Sequence, residues 1–183
     1  MHIIRLQPEN AEAVDQAATI LYEEFKIRSP NSWPDMGSAV REVRKAFDEN
    51  RFALVAVNER DQVMGWIGGI RLYRGNTYEL HPLVVKSEHQ KKGIGTALVA
   101  AFEAEVKSRG CVTIFLGTDD ENSETTLAGI DLYPDPVRHI ANIRNLKGHP
   151  FEFYRKMGYV IVGVLPDANG PGKPDIFMAK RVG

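Results

Sequence analysis

The run Glu79–Arg109 constrains the fold of this 183-residue chain most strongly, because a strand pattern, a glycine loop and a helix pattern follow one another directly. Gly93 and Gly95 let the backbone turn tightly, so that successive N–H groups can point at one anion. A helix that begins near Gly95 adds the positive end of its dipole at the same place. Lys91 and Lys92 add positive charge beside it. This order of elements predicts a phosphate-binding site.

Length and composition limit the class of protein. A chain of 183 residues with 43% hydrophobic content can bury one sizeable core but is short for two, so we expect a single domain over residues 1–183. A net charge of -1 gives no electrostatic reason to expect a nucleic-acid partner. One cysteine, Cys111, excludes an internal disulfide and a cysteine-rich zinc site, and it suits a reducing compartment. Its place beside Gly110 at a strand start favours a small buried apolar residue.

The sequence has neither a membrane-spanning pattern nor a signal-peptide pattern. No apolar run approaches the length that crosses a membrane. The first residues, Met-His-Ile-Ile-Arg, do not form the core of a signal peptide. We therefore expect a cytoplasmic protein with no membrane partner.

Strand and helix patterns alternate along the chain, which predicts a mixed α/β fold. Apolar residues at helical spacing predict helices at 10–25, 38–50 and 95–109, and a proline and a glycine bracket a short helix near 150–157. Strands are predicted at 3–6, 52–57, 63–73, 77–86, 111–117, 159–165 and 175–182. Residues 28–37 are predicted to form a loop whose Trp33 must pack on something, and 118–147 is an irregular excursion with a hint of helix at Ile140, Ile143 and Leu146.

Pro82 interrupts the strand that leads into the glycine loop. Proline has no N–H to donate to a neighbouring strand, so one side of this strand should be locally unpaired. Gly68 and Gly69 inside the preceding strand indicate a bulge or a close approach of two backbones. We therefore expect an irregular sheet just before the loop.

Two common phosphate loops do not fit residues 90–95, Gln-Lys-Lys-Gly-Ile-Gly. A nucleoside-triphosphate loop ends in Gly-Lys-Ser/Thr, and the chain has no such tripeptide. A dinucleotide fingerprint needs a third small residue at the position where Leu98 stands. The Gly-x-Gly pair alone is more often a plain turn, but the proline-broken strand before it and the helix after it strengthen the phosphate interpretation.

The loop and several other segments together resemble the GNAT superfamily of N-acetyltransferases, whose Gln/Arg-x-x-Gly-x-Gly/Ala loop holds the pyrophosphate of acetyl-coenzyme A. From Phe52 onward the chain is similar to aminoglycoside 6′-N-acetyltransferases of the enterococcal chromosomal type. The similar segments are Glu79-Leu80-His81-Pro82-Leu83-Val84-Val85, Leu116-Gly117-Thr118-Asp119-Asp120, His149-Pro150-x-Glu152-Phe153-Tyr154 and the stretch 162–176. The resemblance implies a mixed, mostly antiparallel sheet flanked by helices, with strands splayed at the acetyl-coenzyme A site, and a homodimer.

The resemblance also implies acetyl-coenzyme A as the co-substrate and no metal. The residues that would bind it lie on the strand, the loop and a later helix, namely Leu83, Val84, Val85, Gln90, Lys91, Lys92, Gly93, Ile94, Gly95, Thr96 and Tyr154. The N–H of Leu83, just past the proline, is the expected donor to the thioester oxygen, while its side chain is expected in the core.

Acetyl transfer to an amine needs a neutral nucleophile, a polarised carbonyl and a proton for the departing thiolate. Glu79 is the candidate for receiving the amine proton or holding the cationic amine, and the alternative is a solvated carboxylate at a strand start. His81 either shares this task or is a hydrogen-bonded core residue. Tyr154 is the candidate acid for the thiolate, and the alternative is an aromatic ring that packs on the coenzyme.

A polycationic acceptor such as an aminoglycoside calls for carboxylates on its side of the site. Asp119 and Asp120 follow a buried strand, at an edge of the sheet where ligands of α/β proteins tend to bind. Trp33 is a candidate wall of the same pocket. The alternative for the acidic run is a solvated loop.

The expected function is acetyl transfer from acetyl-coenzyme A to the 6′-amine of aminoglycosides, by direct attack in a ternary complex. Another small amine, such as a polyamine or an amino acid, is an alternative acceptor. A non-catalytic acyl-coenzyme A binding module is an alternative from a different class. Such a module would need the loop but not Glu79, Tyr154 or the Asp119–Asp120 pair, and their presence favours an enzyme.

Overall fold

A computed structural model describes residues 1–183 and contains seven β-strands and five α-helices. The strands are β1 (His2–Arg5), β2 (Arg51–Val57), β3 (Val63–Leu72), β4 (Thr77–Val85), β5 (Thr113–Asp119), β6 (Val160–Leu165) and β7 (Asp175–Arg181). The helices are α1 (Ala11–Arg28), α2 (Met36–Lys45), α3 (Ile94–Ser108), α4 (Pro136–Ala141) and α5 (Phe151–Lys156). No helix has both the length and the apolar character needed to cross a membrane.

The residues group into two compact units, one formed by Met1–Ile114 with Val182–Gly183 and the other by Phe115–Arg181. In the first unit the strands lie in the order β1-β2-β3-β4, and each neighbouring pair is antiparallel. Helices α1 and α2 share a core with β2 and β3. The fully buried Trp66 ties β3 to α1, since its indole N–H donates to the Ala17 carbonyl at 3.1 Å.

The first two helices are present where the spacing of apolar residues predicted them, but their ends differ from the predicted ends. Asn10 caps α1 by accepting from the Ala13 N–H at 3.1 Å, as a short polar side chain does at a helix start. The helix continues to Arg28, past the predicted end at residue 25. Helix α2 begins with a capping box between Asp35 and Ser38 and already ends at Lys45, so the predicted end at residue 50 is wrong. Turns occupy the residues between α2 and β2.

Helix α3 packs its apolar stripe on the core, as predicted, through Leu98, Val99, Phe102 and Val106. Phe102 lies stacked on Phe52 of β2, with ring centroids 5.2 Å apart. Gly110, two residues after the helix, has φ +73°, a left-handed conformation that favours glycine. Cys111 is buried, in agreement with its interpretation as a small apolar residue.

In the second unit, β6 and β7 form an antiparallel pair, and the strand order is β5-β7-β6. Phe151, Tyr159 and Ile176 are fully buried there. The excursion after β5 is mostly turns and contains one six-residue helix, α4, capped by Asp135. The hint of helix was right at Ile140 and wrong at Ile143 and Leu146, since the chain there returns to bridge Thr125 through Asn145.

The predicted mixed α/β class with a mostly antiparallel arrangement of strands is confirmed. Every predicted strand is present, with shifts of one or two residues at most ends. The single domain over residues 1–183 stays a prediction.

Candidate active site

Three of the predicted residues share one face of β4. Glu79, His81 and Leu83 are two residues apart along the strand and are half-buried, whereas the residues between them are buried. This is the alternation of a strand with one face on a core and one face open to a site. Leu83 was expected to bury its side chain in the core, and this expectation is wrong, because it lies on the half-buried face with the other two.

The sheet is irregular at Pro82, as predicted. Ile67 of β3 pairs with Leu83 and Gly69 pairs with Leu80, so Gly68 alone stands opposite two residues of β4. The His81–Pro82 peptide is cis. A Cβ placed on Gly68 would lie 2.4 Å from the His81 carbonyl oxygen, so only glycine permits this approach of the two backbones. The irregular pairing therefore lies within the stretch of β4 that carries His81 and Leu83.

An aromatic wall stands beside His81. Trp33, from the α1–α2 loop, has a ring centroid 5.9 Å from that of His81. It also packs edge-on against Phe25 of α1, with centroids 4.6 Å apart. Trp33 is only 8% exposed, which confirms that this loop aromatic packs on its neighbours. Its contact with an acceptor stays a prediction.

A buried carboxylate next to His81 was not found from the sequence. Glu42 of α2 lies with Oε1 3.9 Å from His81 Nε2 and 3.3 Å from Arg51 Nη1, and its Oε2 accepts from Lys45 Nζ at 2.8 Å. Burial alone would raise the pKa of Glu42, but the hydrogen bond from Lys45 and the electrostatic interactions with His81, Lys45 and Arg51 outweigh it and hold this pKa below its usual range. The available signal was its place between Ala39 and Val43 on the apolar stripe of the helix.

A small cavity lies beside Glu42, between α2 and the sheet. It has a volume of ≈ 10 Å³, about the space that one water needs. Its lining comes from α2, β2, β3 and β4, and includes Glu42, Arg51, Phe52, Trp66, Gly68 and His81. The exposed fraction of the His81 side chain is 41%, so this ring lies between the cavity and solvent.

The loop after β4 has the geometry of an anion site. A 3-10 turn at Ser87–His89 follows the strand, and α3 begins at Ile94. Gly93 is the N-cap residue with φ +85°, and it has no side chain that could cap the helix. The first backbone bond of α3 runs from the Ala97 N–H to the Gly93 carbonyl at 3.0 Å, so the N–H groups of the preceding residues remain for a ligand.

The two glycines of the loop differ in conformation. The left-handed residues of the loop are Gly93 and Lys91, which has φ +58°. Gly95 was expected to help the turn, and this is wrong, because it already lies in the first turn of α3. Lys91 and Lys92 are exposed on the loop, next to the helix start. Ile94 is buried and holds the helix start against the core, whereas Thr96, in the same turn, is exposed.

The second unit holds the predicted acceptor carboxylates. Asp119 ends β5, is exposed, and accepts from Asn169 Nδ2 at 2.5 Å. Asp120 is 0% exposed, and its two oxygens accept from the N–H groups of Glu124 at 2.7 Å and Thr125 at 2.8 Å. Asp120 therefore shapes the loop that follows β5, whereas direct contact of either residue with an acceptor stays a prediction.

Tyr154 lies on α5, in the second unit, and is 8% exposed. Its ring packs at steep angles against Phe153 and Tyr159, with centroids 5.1 and 5.8 Å away. His149, to which the sequence assigned no role, connects two elements of this unit. Its Nε2 lies 3.0 Å from the Asp119 carbonyl, and its Nδ1 accepts from the Phe151 N–H at 3.2 Å, so the buried ring connects the end of β5 to the start of α5.

Each unit thus collects its own subset of the predicted residues. The first unit places Glu79, His81 and Leu83 on one face, with Val84 and Val85 leading from them into the Gln90–Thr96 loop. The second unit places Asp119 and Asp120 at the end of β5 and connects them through His149 to the helix of Tyr154.

The comparisons with known proteins agree on one family. The model of the acetyltransferase (GNAT) family matches residues 18–133. A solved structure of aminoglycoside 6′-N-acetyltransferase complexed with coenzyme A is 44% identical, with a TM-score of 0.91, and the match covers 100% of this chain and 97% of that one. The aminoglycoside 6′-N-acetyltransferase from Enterococcus faecium is 44% identical, with a TM-score of 0.88 and the same coverage.

Two further comparisons complete these findings. The structure of an aminoglycoside 6′-acetyltransferase type Ii is 40% identical, with a TM-score of 0.75, over 100% of this chain and 97% of that chain. The ribosomal-protein-S18-alanine N-acetyltransferase from Escherichia coli, at 14% identity and a TM-score of 0.64, shares the fold alone. No curated protein sequence gave a significant match.

Proposed function

Because the chain belongs to the GNAT family of acetyltransferases, we propose that it transfers the acetyl group of acetyl-coenzyme A to the 6′-amine of an aminoglycoside. The observation that carries this proposal is its 40–44% identity, over 100% of its length, to three solved enzymes named for that reaction. The match covers the whole chain, so it includes the segments after β5, where the acceptor side is expected, as well as the coenzyme loop. The similarity therefore supports a particular acceptor, the aminoglycoside 6′-amine, and not only acetyl transfer in general.

The coenzyme loop supports the use of acetyl-coenzyme A. The open N–H groups at the start of α3 and the left-handed Gly93 suit a pyrophosphate, and Lys91 and Lys92 add charge. One of the similar enzymes was solved with coenzyme A bound. The backbone from Leu83 to Val85 would run beside the pantetheine arm.

The reaction forms an amide bond and breaks a thioester. The neutral 6′-amine attacks the acetyl carbonyl carbon, the carbonyl oxygen becomes negative, and the C–S bond then breaks to release coenzyme A thiolate. Glu79 takes the proton that the nitrogen loses, directly or through water, with His81 beside it on the same face of β4. The Leu83 N–H stabilises the negative oxygen.

Tyr154 supplies the proton that the thiolate takes up. The ordinary pKa of a tyrosine hydroxyl, about 10, exceeds the value of about 8.5 for a thiol, so the transfer depends on a thiolate formed next to a positioned hydroxyl. Its low exposure and its two ring contacts on α5 support a fixed position. The direct route needs no acetylated side chain, and the only thiol, Cys111, is buried.

The acceptor carries several ammonium groups, and Asp119 is the exposed carboxylate that we assign to them. Its Oδ1 is oriented by Asn169, which leaves the other oxygen for a cation. Trp33, beside His81, would contact the apolar face of a sugar ring. Asp120 contributes by holding the loop rather than through its buried oxygens.

A homodimer in the cytoplasm is part of the same proposal. Strand β6 pairs only with β7 in its unit and exposes Val160, Val162 and Leu165. An open strand edge with apolar side chains favours burial against another copy. Light scattering at several protein concentrations measures the oligomer, and a monomer at all of them would contradict this part.

For the compartment, the single, buried cysteine suits a reducing environment.

The test of the function is release of coenzyme A thiol from acetyl-coenzyme A in the presence of different acceptors. We expect release with kanamycin or tobramycin, and none with an aminoglycoside that has a 6′-hydroxyl instead of the amine. Release only with spermidine would indicate that the acceptor is a small amine other than an aminoglycoside. No release with any acceptor, but a higher melting temperature with coenzyme A, would indicate a binding module.

A further inference from the structure

One carboxylate of α1 is bonded to the segment that enters the coenzyme loop. Glu24 lies near the end of α1, and Oε1 accepts from the Ser87 N–H at 2.7 Å. Its Oε2 accepts from the Ser87 hydroxyl at 2.6 Å and from Gln90 Nε2 at 3.3 Å. More than 60 residues separate the partners in sequence, so these are tertiary contacts and not local turn contacts.

The contacts lie where they control the direction of the loop. Ser87 starts the 3-10 turn between β4 and the loop, and Gln90 is the first residue of the Gln-x-x-Gly-x-Gly segment. The Gln90 amide also donates to the Val85 carbonyl at 2.9 Å, at the end of β4. Its side chain therefore connects the end of β4 to α1, and Glu24 connects both to the turn at Ser87, while the N–H groups of the loop stay available.

A negative charge this near an anion site weakens anion binding by electrostatic repulsion. Glu24 can therefore favour the ligand only through another effect. Here the carboxylate accepts three hydrogen bonds from uncharged donors, and such charge-assisted bonds are stronger than neutral ones. Lys91 and Lys92, which are exposed on the same segment, offset its charge, whereas Lys86 pairs with Glu88 at 2.9 Å. The remaining effect of Glu24 is to order the backbone that presents N–H groups to the ligand, and an ordered site binds with a smaller entropic cost.

We infer that Glu24 is a positioning residue of the coenzyme site, which holds Ser87 and Gln90 so that the pyrophosphate loop is formed before the ligand arrives. This inference rests on the proposed use of acetyl-coenzyme A. It assigns the Gln90 side chain to the loop itself rather than to the phosphates. Glu24 touches neither the acetyl group nor the acceptor.

The test compares Glu24→Ala and Glu24→Gln with Glu23→Gln. Glu23 is the adjacent carboxylate of α1, is exposed, and pairs with Lys26 on the same helix. We expect Glu24→Ala to raise the KM for acetyl-coenzyme A and the Kd for coenzyme A about tenfold. Glu24→Gln, with one acceptor oxygen instead of two, should lie between, and Glu23→Gln should match the wild type. The KM for the aminoglycoside and kcat should change little.

A truncated donor separates positioning from general damage. Acetyl-pantetheine has the thioester but no pyrophosphate, so a defect that acts through the loop should disappear with it. We expect Glu24→Ala and the wild type to use acetyl-pantetheine equally well. A defect of equal size with both donors would overturn the inference and indicate a loss of overall structure. Ser87→Ala, which removes the hydroxyl but keeps the N–H, should give a smaller defect of the same kind.

The outcomes also distinguish the inference from the proposed function. Calorimetry of coenzyme A binding needs no acceptor. If the wild type binds coenzyme A and Glu24→Ala binds it equally tightly, the inference is wrong and the proposed function stands. If the wild type does not bind coenzyme A, the proposed function itself fails.

Discussion

At the scale of single residues, the two candidate acid–base groups differ in how their surroundings hold them. Glu79 stands half-buried on an open strand face, beside His81. Tyr154 is nearly buried against two aromatic rings. A carboxylate on an accessible strand face suits proton uptake from an incoming amine, whereas a hydroxyl on a closely packed ring suits a leaving group that always forms at one place. The roles are therefore separable by substitution.

Tyr154→Phe should lower kcat about 100-fold while the KM for acetyl-coenzyme A stays near the wild-type value, because only the proton donor is lost. Steady-state kinetics with tobramycin measures both constants. Tyr159→Phe is the matched control, since it removes a hydroxyl from the neighbouring buried ring. An increase in KM with an unchanged kcat would instead assign Tyr154 to packing against the coenzyme.

Glu42 makes a prediction about stability and pH. Its pKa in the folded protein lies below the ordinary value of 4.5, so the contribution of this carboxylate is fully present above the unfolded value and is lost as the pH falls through the folded one. Glu42→Gln should lower Tm by about 2–4 °C at pH 7, as a loss of about 1 kcal/mol does in a chain of this size.

The difference in Tm between Glu42→Gln and the wild type should shrink as the pH falls from 4.5 through the folded pKa of Glu42, because the unfolded carboxyl is protonated first and the folded carboxyl after it. Thermal melts from pH 3 to pH 7 measure it. Glu152→Gln, which breaks an exposed pair with Arg155, should change Tm little at any pH. A difference for Glu42→Gln that is the same at pH 3 and pH 7 would contradict the charge argument.

At the scale of elements, the strand–loop–helix unit from β4 to α3 contains the proposed coenzyme site and has irregular backbone at two positions. The irregular pairing opposite Gly68 lies within β4, and the left-handed Gly93 begins α3. Neither feature has a regular hydrogen-bond pattern to hold it. The close backbone of β3 restricts the first position, and we infer that the contacts of Ser87 and Gln90 with α1 hold the segment that leads into the second.

Gly93→Ala tests the helix start, with Gly110→Ala as its control at the other end of α3. Both glycines have positive φ, and a Cβ at either would meet nothing within 4 Å, so each substitution costs only backbone strain of about 1–2 kcal/mol. We expect similar losses of unfolding free energy in urea. The KM for acetyl-coenzyme A should rise only in Gly93→Ala, and a rise in both variants would contradict a site at the helix start.

At the scale of the whole molecule, the division into two compact units does not by itself make two domains. Strand β5 begins in the first unit with Thr113 and ends in the second with Asp119, and a strand is one continuous element. The family match, residues 18–133, also crosses the boundary at Ile114. We propose a single domain over residues 1–183.

A single domain predicts one cooperative unfolding transition. Trp33 and Trp66 report on the first unit by fluorescence, while far-ultraviolet circular dichroism reports on all helices and strands. The two probes should give the same urea midpoint within error. Circular dichroism that keeps changing after the tryptophan transition is complete would show that the second unit unfolds separately.

The sequence by itself determined the order of elements, the loop and the identity of the residues on β4. Local patterns suffice for these, because Pro82, Gly68 and Gly93 act through their own backbone chemistry and the alternation of β4 lies within one strand. The resemblance supplied the proposed acetyl-coenzyme A site and the roles that we propose for Glu79 and Tyr154. Tertiary structure decided what no local pattern carries: Glu42 beside His81, the burial of Asp120, the half-buried Leu83 and the contacts of Glu24. These depend on which distant residues meet, and pairing across 60 residues leaves no periodic trace in the sequence.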